Sequence, residues 1–242
     1  MSQVSYLPIK MVREENFRGN TADLKTTGFA QNGDRYALKT LSDGPLLPLT
    51  EWLCYGICRE IGIATPGFDI VERVNGTLAF GSRWDADTVP FGSRGVNAIA
   101  RVALVSNMGA QMIKPLILDY FLPNPDRHFN NFLYRKSADN HEIVLAFDWS
   151  RVDSLKNQPL FSPWPWGQPC NSATSVAILK RLQIWDTDVV ASTARAIESL
   201  PSQKIRAILE GAPETWCPEG LVDSIVVWWE NSAPQRARGL TP

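Results

Sequence analysis

Hydrophobic and polar positions alternate in short runs through the first third of the chain and repeat at helical spacing through most of the rest. Arg35-Tyr36-Ala37-Leu38-Lys39-Thr40-Leu41 reads as a strand, as do Phe68–Val74 and Thr77–Phe80. Asn75-Gly76 lies between the last two, and that dipeptide suits the left-handed residues of a two-residue hairpin. Leu53, Cys54, Ile57, Cys58 and Ile61 fall on one stripe, which predicts a helix from about Leu49 to Ile61, ended by Gly62 and Pro66. Trp84–Gly95 is polar and turn-rich and reads as a link. Beyond it the pattern predicts helices over about 96–107, 109–121, 172–182, 187–199, 202–210 and 219–230. A short β-like pair, Asn131–Tyr134 and Ile143–Phe147, interrupts them, with polar Lys136–Asn140 between. Phe161–Cys170, rich in Pro and Trp, reads as an ordered loop. The expected architecture is α+β and bilobal: a small β-rich lobe over residues 1–84 and a larger, mainly helical lobe over 85–242.

Composition narrows what such a chain does. With 242 residues, 44% of them hydrophobic, it has enough apolar material for one core or for two lobes sharing an interface. No apolar run approaches the ~20 residues of a membrane span, and MSQVSYLPIKMVREENF has no apolar core of signal-peptide length. No membrane association is expected, and the cytoplasm is the expected location. Lys+Arg number 24 and Asp+Glu 25, a net charge of −1, so direct nucleic-acid binding is not expected. The four cysteines are too few for a disulfide scaffold. Cys54 and Cys58 share a helix face and read as buried, reduced core thiols. The two histidines, His128 and His141, lie far from them, and His141 sits in a polar turn that reads as exposed.

The densest candidate chemistry is Asn124-Pro125-Asp126-Arg127-His128-Phe129-Asn130-Asn131, which follows the apolar run Leu116–Leu122. An acid and an amide five residues apart on a tight loop can both face a cleft. Seventeen residues after Asn131, the apolar run Val144-Leu145-Ala146-Phe147 ends in Asp148. A carboxylate there is costly to bury without a positive partner, and Mg²⁺, which accepts carboxylate and amide oxygens, is one. Each piece has a plainer reading: a local Asp126–Arg127 ion pair, and Asp148 as a cap on the turn at Trp149-Ser150. Lys39, mid-strand, is either a cation for nucleotide phosphates or an edge-strand lysine that blocks aggregation. Glu51 either pairs with Lys39 or serves the helix dipole. The turn-rich stretch Thr26–Gly33 has backbone amides that could cradle phosphates, although it lacks G-x-G-x-x-G and the Walker pattern.

These residues resemble those of the HipA-like protein kinases, bacterial members of the protein-kinase-like superfamily, in the compact form that lacks the N-terminal subdomain of full-length HipA toxins. Three segments carry the resemblance: Arg35–Lys39 with the helix from Glu51 to Pro66, the Asn124–Asn131 loop (similar to the family's N-x-D-R-H-x-x-N), and Ala146-Phe147-Asp148. It implies an ATP- and Mg²⁺-dependent kinase that phosphorylates a Ser or Thr hydroxyl of a protein. Asp126 would be the catalytic base, His128 and Asn131 would lie on the nucleotide, and Asn131 and Asp148 would hold Mg²⁺. Lys39 would hold the α/β-phosphates. Ala79, Phe80 and Gly81 would meet the adenine at the hinge, and Gly28, Phe29 and Ala30 would belong to the phosphate loop. Two departures stand out. The loop after Thr27 is not the toxins' Ser-Gly-x-Gln type, and no DNA-binding or partner domain is attached, so any antitoxin would be a separate chain. The same loop also suits a small-molecule kinase of the aminoglycoside or choline type, or a nucleotide-binding pseudokinase that acts as an interaction module.

Overall fold

The structure is a computed structural model that describes residues 7–17, 24–84, 88–90, 98–136, 142–152, 155, 160–162 and 169–240. Five strands form the small lobe: β1 (Ile9–Asn16), β2 (Thr26–Ala30), β3 (Arg35–Lys39), β4 (Phe68–Glu72) and β5 (Leu78–Trp84). They close into a barrel in the order β1-β2-β3-β5-β4, with a parallel β1–β4 pair, Ile9 opposite Val71, completing the ring. Period-2 alternation turns Tyr36 and Leu38 inward, where they meet Met11, Ala30, Val71 and Ala79. The same alternation turns Arg35, Ala37 and Lys39 out of the barrel.

Two stretches of the sequence sit in strands where a loop and a hinge were expected. Gly28, Phe29 and Ala30 lie in β2, between β1 and β3, with Gly28 opposite Glu14 on one side and Tyr36 on the other. Gly28 serves packing rather than a turn, because a Cβ there would stand 2.7 Å from Met11 Sδ. Ala79, Phe80 and Gly81 sit inside β5 and not at its end, with Gly81 opposite both Leu38 and Asp69, so their backbone groups take part in the ladders. A Cβ on Gly81 would stand 2.7 Å from Val71 Cγ1, and the chain leaves the sheet only after Trp84.

Helix α1 (Leu47–Glu60) packs outside the barrel. The large lobe contains α2 (Ala98–Phe121), α3 (Asn171–Arg181), α4 (Thr187–Glu198), α5 (Ser202–Glu210), α6 (Leu221–Asn231) and α7 (Ala233–Arg238). It also holds a sheet of β6 (Val89–Pro90), β7 (Phe132–Lys136) and β8 (Glu142–Ala146). One hydrophobic core runs from α1 through α2 into α4, α5 and α6. Trp52 of α1 donates its indole N–H to the Ile208 carbonyl of α5 at 2.7 Å, and its ring meets Trp216 edge-on. Gly56 lets these two helices touch, since a Cβ there would lie 2.5 Å from Ile208 Cγ2.

The helices expected over 172–182, 187–199, 202–210 and 219–230 correspond to α3, α4, α5 and α6, with ends shifted by two residues at most. The two expected over 96–107 and 109–121 are instead one helix, α2. Gly109, at the expected break, gives Ile184 room against the helix, because a Cβ there would overlap it. Cys54 and Cys58 are buried free thiols, and burial raises the pKa of each. Among the described residues no helix is long and apolar enough to cross a membrane. His141, residues 137–140, and most of the Trp84–Gly95 and Phe161–Cys170 stretches lie outside the described residues.

Candidate active site

Lys39 ends β3 with its side chain turned to the large lobe, where it is 6% exposed. Its Nζ lies 3.3 Å from Asp148 Oδ1 and 4.0 Å from Glu51 Oε1. A strand of the barrel, a helix beside it and the end of β8 therefore bring three charge-bearing groups together. They line a cavity of about 70 Å³ with Ala37, Phe80 and Phe147.

Asp148 has φ 65°, in the left-handed region, which Asp tolerates better than most side chains. Its Oδ1 also accepts from the Ser150 hydroxyl at 2.7 Å and from the Ser150 amide at 3.4 Å. Asp148 thus caps the following turn, and the positive group that meets it is Lys39. Burial alone would raise its pKa, but Lys39 and then Ser150 bring it below the usual carboxylate range. It is therefore ionised at neutral pH.

Glu51 is the fifth residue of α1 and fully buried, so it is not a first-turn dipole partner. Each of its carboxylate oxygens accepts from the Trp149 amide at 3.2 Å. Burial pushes its pKa up to about 8 against the pull of Lys39. At neutral pH Asp148 therefore carries most of the negative charge that faces Lys39.

The loop after α2 is built around Arg127, which is 0% exposed. Arg127 does not pair with Asp126. Its Nε donates to Asp119 Oδ2 at 2.6 Å and its Nη2 to Asp119 Oδ1 at 3.1 Å, a bidentate pair with an acid from the last turn of α2. The Asn124 amide adds a bond to Asp119 Oδ1 at 2.7 Å. Burial alone would lower the guanidinium's pKa, but the Asp119 charge raises it, so Arg127 is a cation. Its Nη1 donates to the Asn131 carbonyl at 3.3 Å and to the Phe147 carbonyl, and its guanidinium lies 4.5 Å from the Trp149 ring centre. One buried cation thus ties the Asp126 loop to the segment that carries Asp148.

With Arg127 turned inward, Asp126 is left half-buried, and its Oδ1 accepts from the Asn171 amide at 2.6 Å. Asn131 is buried, and its Oδ1 accepts from the His128 amide at 3.2 Å. Phe132 pairs with Ala146, and the Phe147 amide donates to the Asn131 carbonyl at 3.2 Å, so Asn131 and Asp148 flank the same end of the β7–β8 ladder. The Nδ1 of His128 is buried without a hydrogen-bond partner among the described residues. Asn131 and Asp148 offer an amide and an ionised carboxylate. That hard-oxygen set suits Mg²⁺, whose other positions would fall to water and phosphate.

The structure therefore joins Lys39 to Asp148, sets Asn131 beside Asp148, and mounts Asp126 and His128 on the loop that Arg127 fixes. Phe80 lines the cavity, whereas Ala79 and Gly81, like Gly28, Phe29 and Ala30, belong to the barrel ladders. Sequence reasoning missed Asp119, Asn171, Ser172 and Ser175. Asp119 had left a signal, as a lone acid inside the apolar Leu116–Leu122 run. The other three lie about 45 residues past the loop, in the first turns of a helix that the pattern placed without a role.

No protein-family model matches the sequence, and no curated protein does. Solved structures do match. The Helicobacter pylori proinflammatory kinase CtkA is similar with a TM-score of 0.58 and 12% identity, over 98% of this chain and 98% of that one. HipA of Shewanella oneidensis MR-1, solved with HipB and its operator DNA, is similar with a TM-score of 0.55 and 11% identity, over 99% of this chain and 66% of that one. At these identities the likeness is one of fold, and the chain has the α+β, bilobal fold of the HipA-like kinases.

Proposed function

We propose that this chain is a kinase that uses ATP and Mg²⁺ to transfer the γ-phosphoryl group to a Ser or Thr hydroxyl of a protein. The observation that carries this reading is the Lys39–Asp148 contact at 3.3 Å, made in a cavity between the two lobes. Phosphoryl transfer depends on positioning and on neutralising charge. Lys39, held in place by Asp148 and Glu51, meets the phosphates. Asp126 accepts the proton of the acceptor hydroxyl as its oxygen bonds to phosphorus and the bond from phosphorus to the ADP oxygen breaks. Asn131 and Asp148 hold Mg²⁺, which supplies further charge neutralisation when bound. Arg127 keeps the base and the Asp148 segment in fixed relation. A separate protein partner belongs to this reading, because the similar HipA was solved with HipB. So does action in the cytoplasm, because the four cysteines are free thiols.

The test is to incubate the protein with γ-labelled ATP and Mg²⁺, offering cell-lysate proteins in one arm and lysate small molecules in the other. Label on protein Ser or Thr is expected. Label confined to small molecules would make the chain a metabolite kinase, and no ATP consumption in either arm would sink the reading. Asp148→Asn is expected to weaken Mg²⁺-dependent ATP binding at least about tenfold, equal to about 1.4 kcal/mol, in titration calorimetry. Unchanged binding would remove Asp148 from the metal site.

A further inference from the structure

The first turns of α3 hold the candidate catalytic loop at several points. Ser172 Oγ accepts from the Arg127 amide at 2.9 Å and donates to the Asn124 carbonyl at 2.6 Å. The Ser172 amide donates to the Pro125 carbonyl at 3.1 Å, and Ser175 Oγ donates to the Arg127 carbonyl at 2.9 Å. These bonds fix the backbone of residues 124–127 and leave the Asp126 side chain to a single contact. Among the described residues, Asn171, the first residue of α3, is the one side chain that donates to it, at 2.6 Å.

We propose that Asn171 is a positioning residue for Asp126, tying Oδ1 so that Oδ2 is presented to the acceptor hydroxyl. This rests on the kinase reading above. A half-buried carboxylate without such a tie is free to turn about its side-chain bonds, and a misplacement of about 1 Å in a reacting group costs on the order of a hundredfold in rate. An amide suits the task because it donates a bond without adding charge: a cation would blunt the base, and a carboxylate could not donate. Asn171 is itself exposed, so the pair opens to solvent where an acceptor arrives. It lies outside the core, since Ser172 and Ser175 carry the buried part of the clamp.

The test compares Asn171→Ala and Asn171→Asp with the parent protein, using ATP and a labelled protein acceptor. Asn171→Asp keeps the shape and loses the donor. Both variants are expected to lower kcat by about 10- to 100-fold, with the KM for ATP and the melting temperature unchanged. In an Asp126→Ala background, Asn171→Ala is expected to cost nothing further, because its effect passes through Asp126. A parent-like kcat in Asn171→Asp, or a full additional loss in the double variant, overturns the inference while the kinase reading stands. A parent protein that transfers no phosphate to any acceptor overturns both.

Discussion

Asp126→Ala is expected to lower phosphoryl transfer by about 10²- to 10⁴-fold, the usual worth of a general base, and to leave the fold intact. The expectation divides cleanly because of how the loop is built. Truncation removes one side-chain bond, to Asn171, and keeps the Asp126 amide's bond to Asn124. The loop is held by Arg127, Ser172 and Ser175, none of which needs the Asp126 carboxylate. Melting should therefore change by no more than about 0.5 kcal/mol. Acceptor labelling and thermal melts on the same preparation check both halves. A variant that still transfers at the parent rate would show that the proton goes elsewhere.

Asp119→Ala carries the largest expected loss of stability, about 3–5 kcal/mol. It would leave Arg127 fully buried without its counter-charge, against a total of about 5–15 kcal/mol for a typical domain. Urea unfolding of the variant measures it directly. Replacing both partners, as in Asp119→Leu with Arg127→Met, should recover much of that stability, since apolar pairs often substitute for buried ion pairs. It should not recover activity, because Arg127 also bonds the carbonyls of Asn131 and Phe147. If Asp119→Ala melts like the parent, the pair does not hold the loop.

The sequence made the site's charged residues legible because each stood against its local pattern. Lys39 is a cation on a strand face beside Ala37, Asp148 an acid at an apolar strand end, and Asp126 and Asn131 share one polar loop. What stayed hidden was decided by contacts distant in the chain. Arg127 looked like a neighbour of Asp126 and pairs with Asp119 instead, because burial rewards a bidentate partner with no water nearby. Strand β1 carries four charged residues and buries only Met11, so it shows little alternation to read. Strand β2 begins Thr-Thr-Gly, which looks like a turn until Met11 is set against the glycine. The two helices expected over 96–107 and 109–121 run on as one α2, in which Gly109 makes room for Ile184 without stopping the helix.

The bond from Trp52 to Ile208 spans 156 positions of the chain. The helix bearing Glu51 is thereby fastened to material encoded near the far end, which never reaches the cleft. To tilt it outward would break the indole's bond and drag Ile208 from the notch left by Gly56. A residue larger than glycine at position 56 would demand a slimmer one at position 208, more than a hundred and fifty positions away.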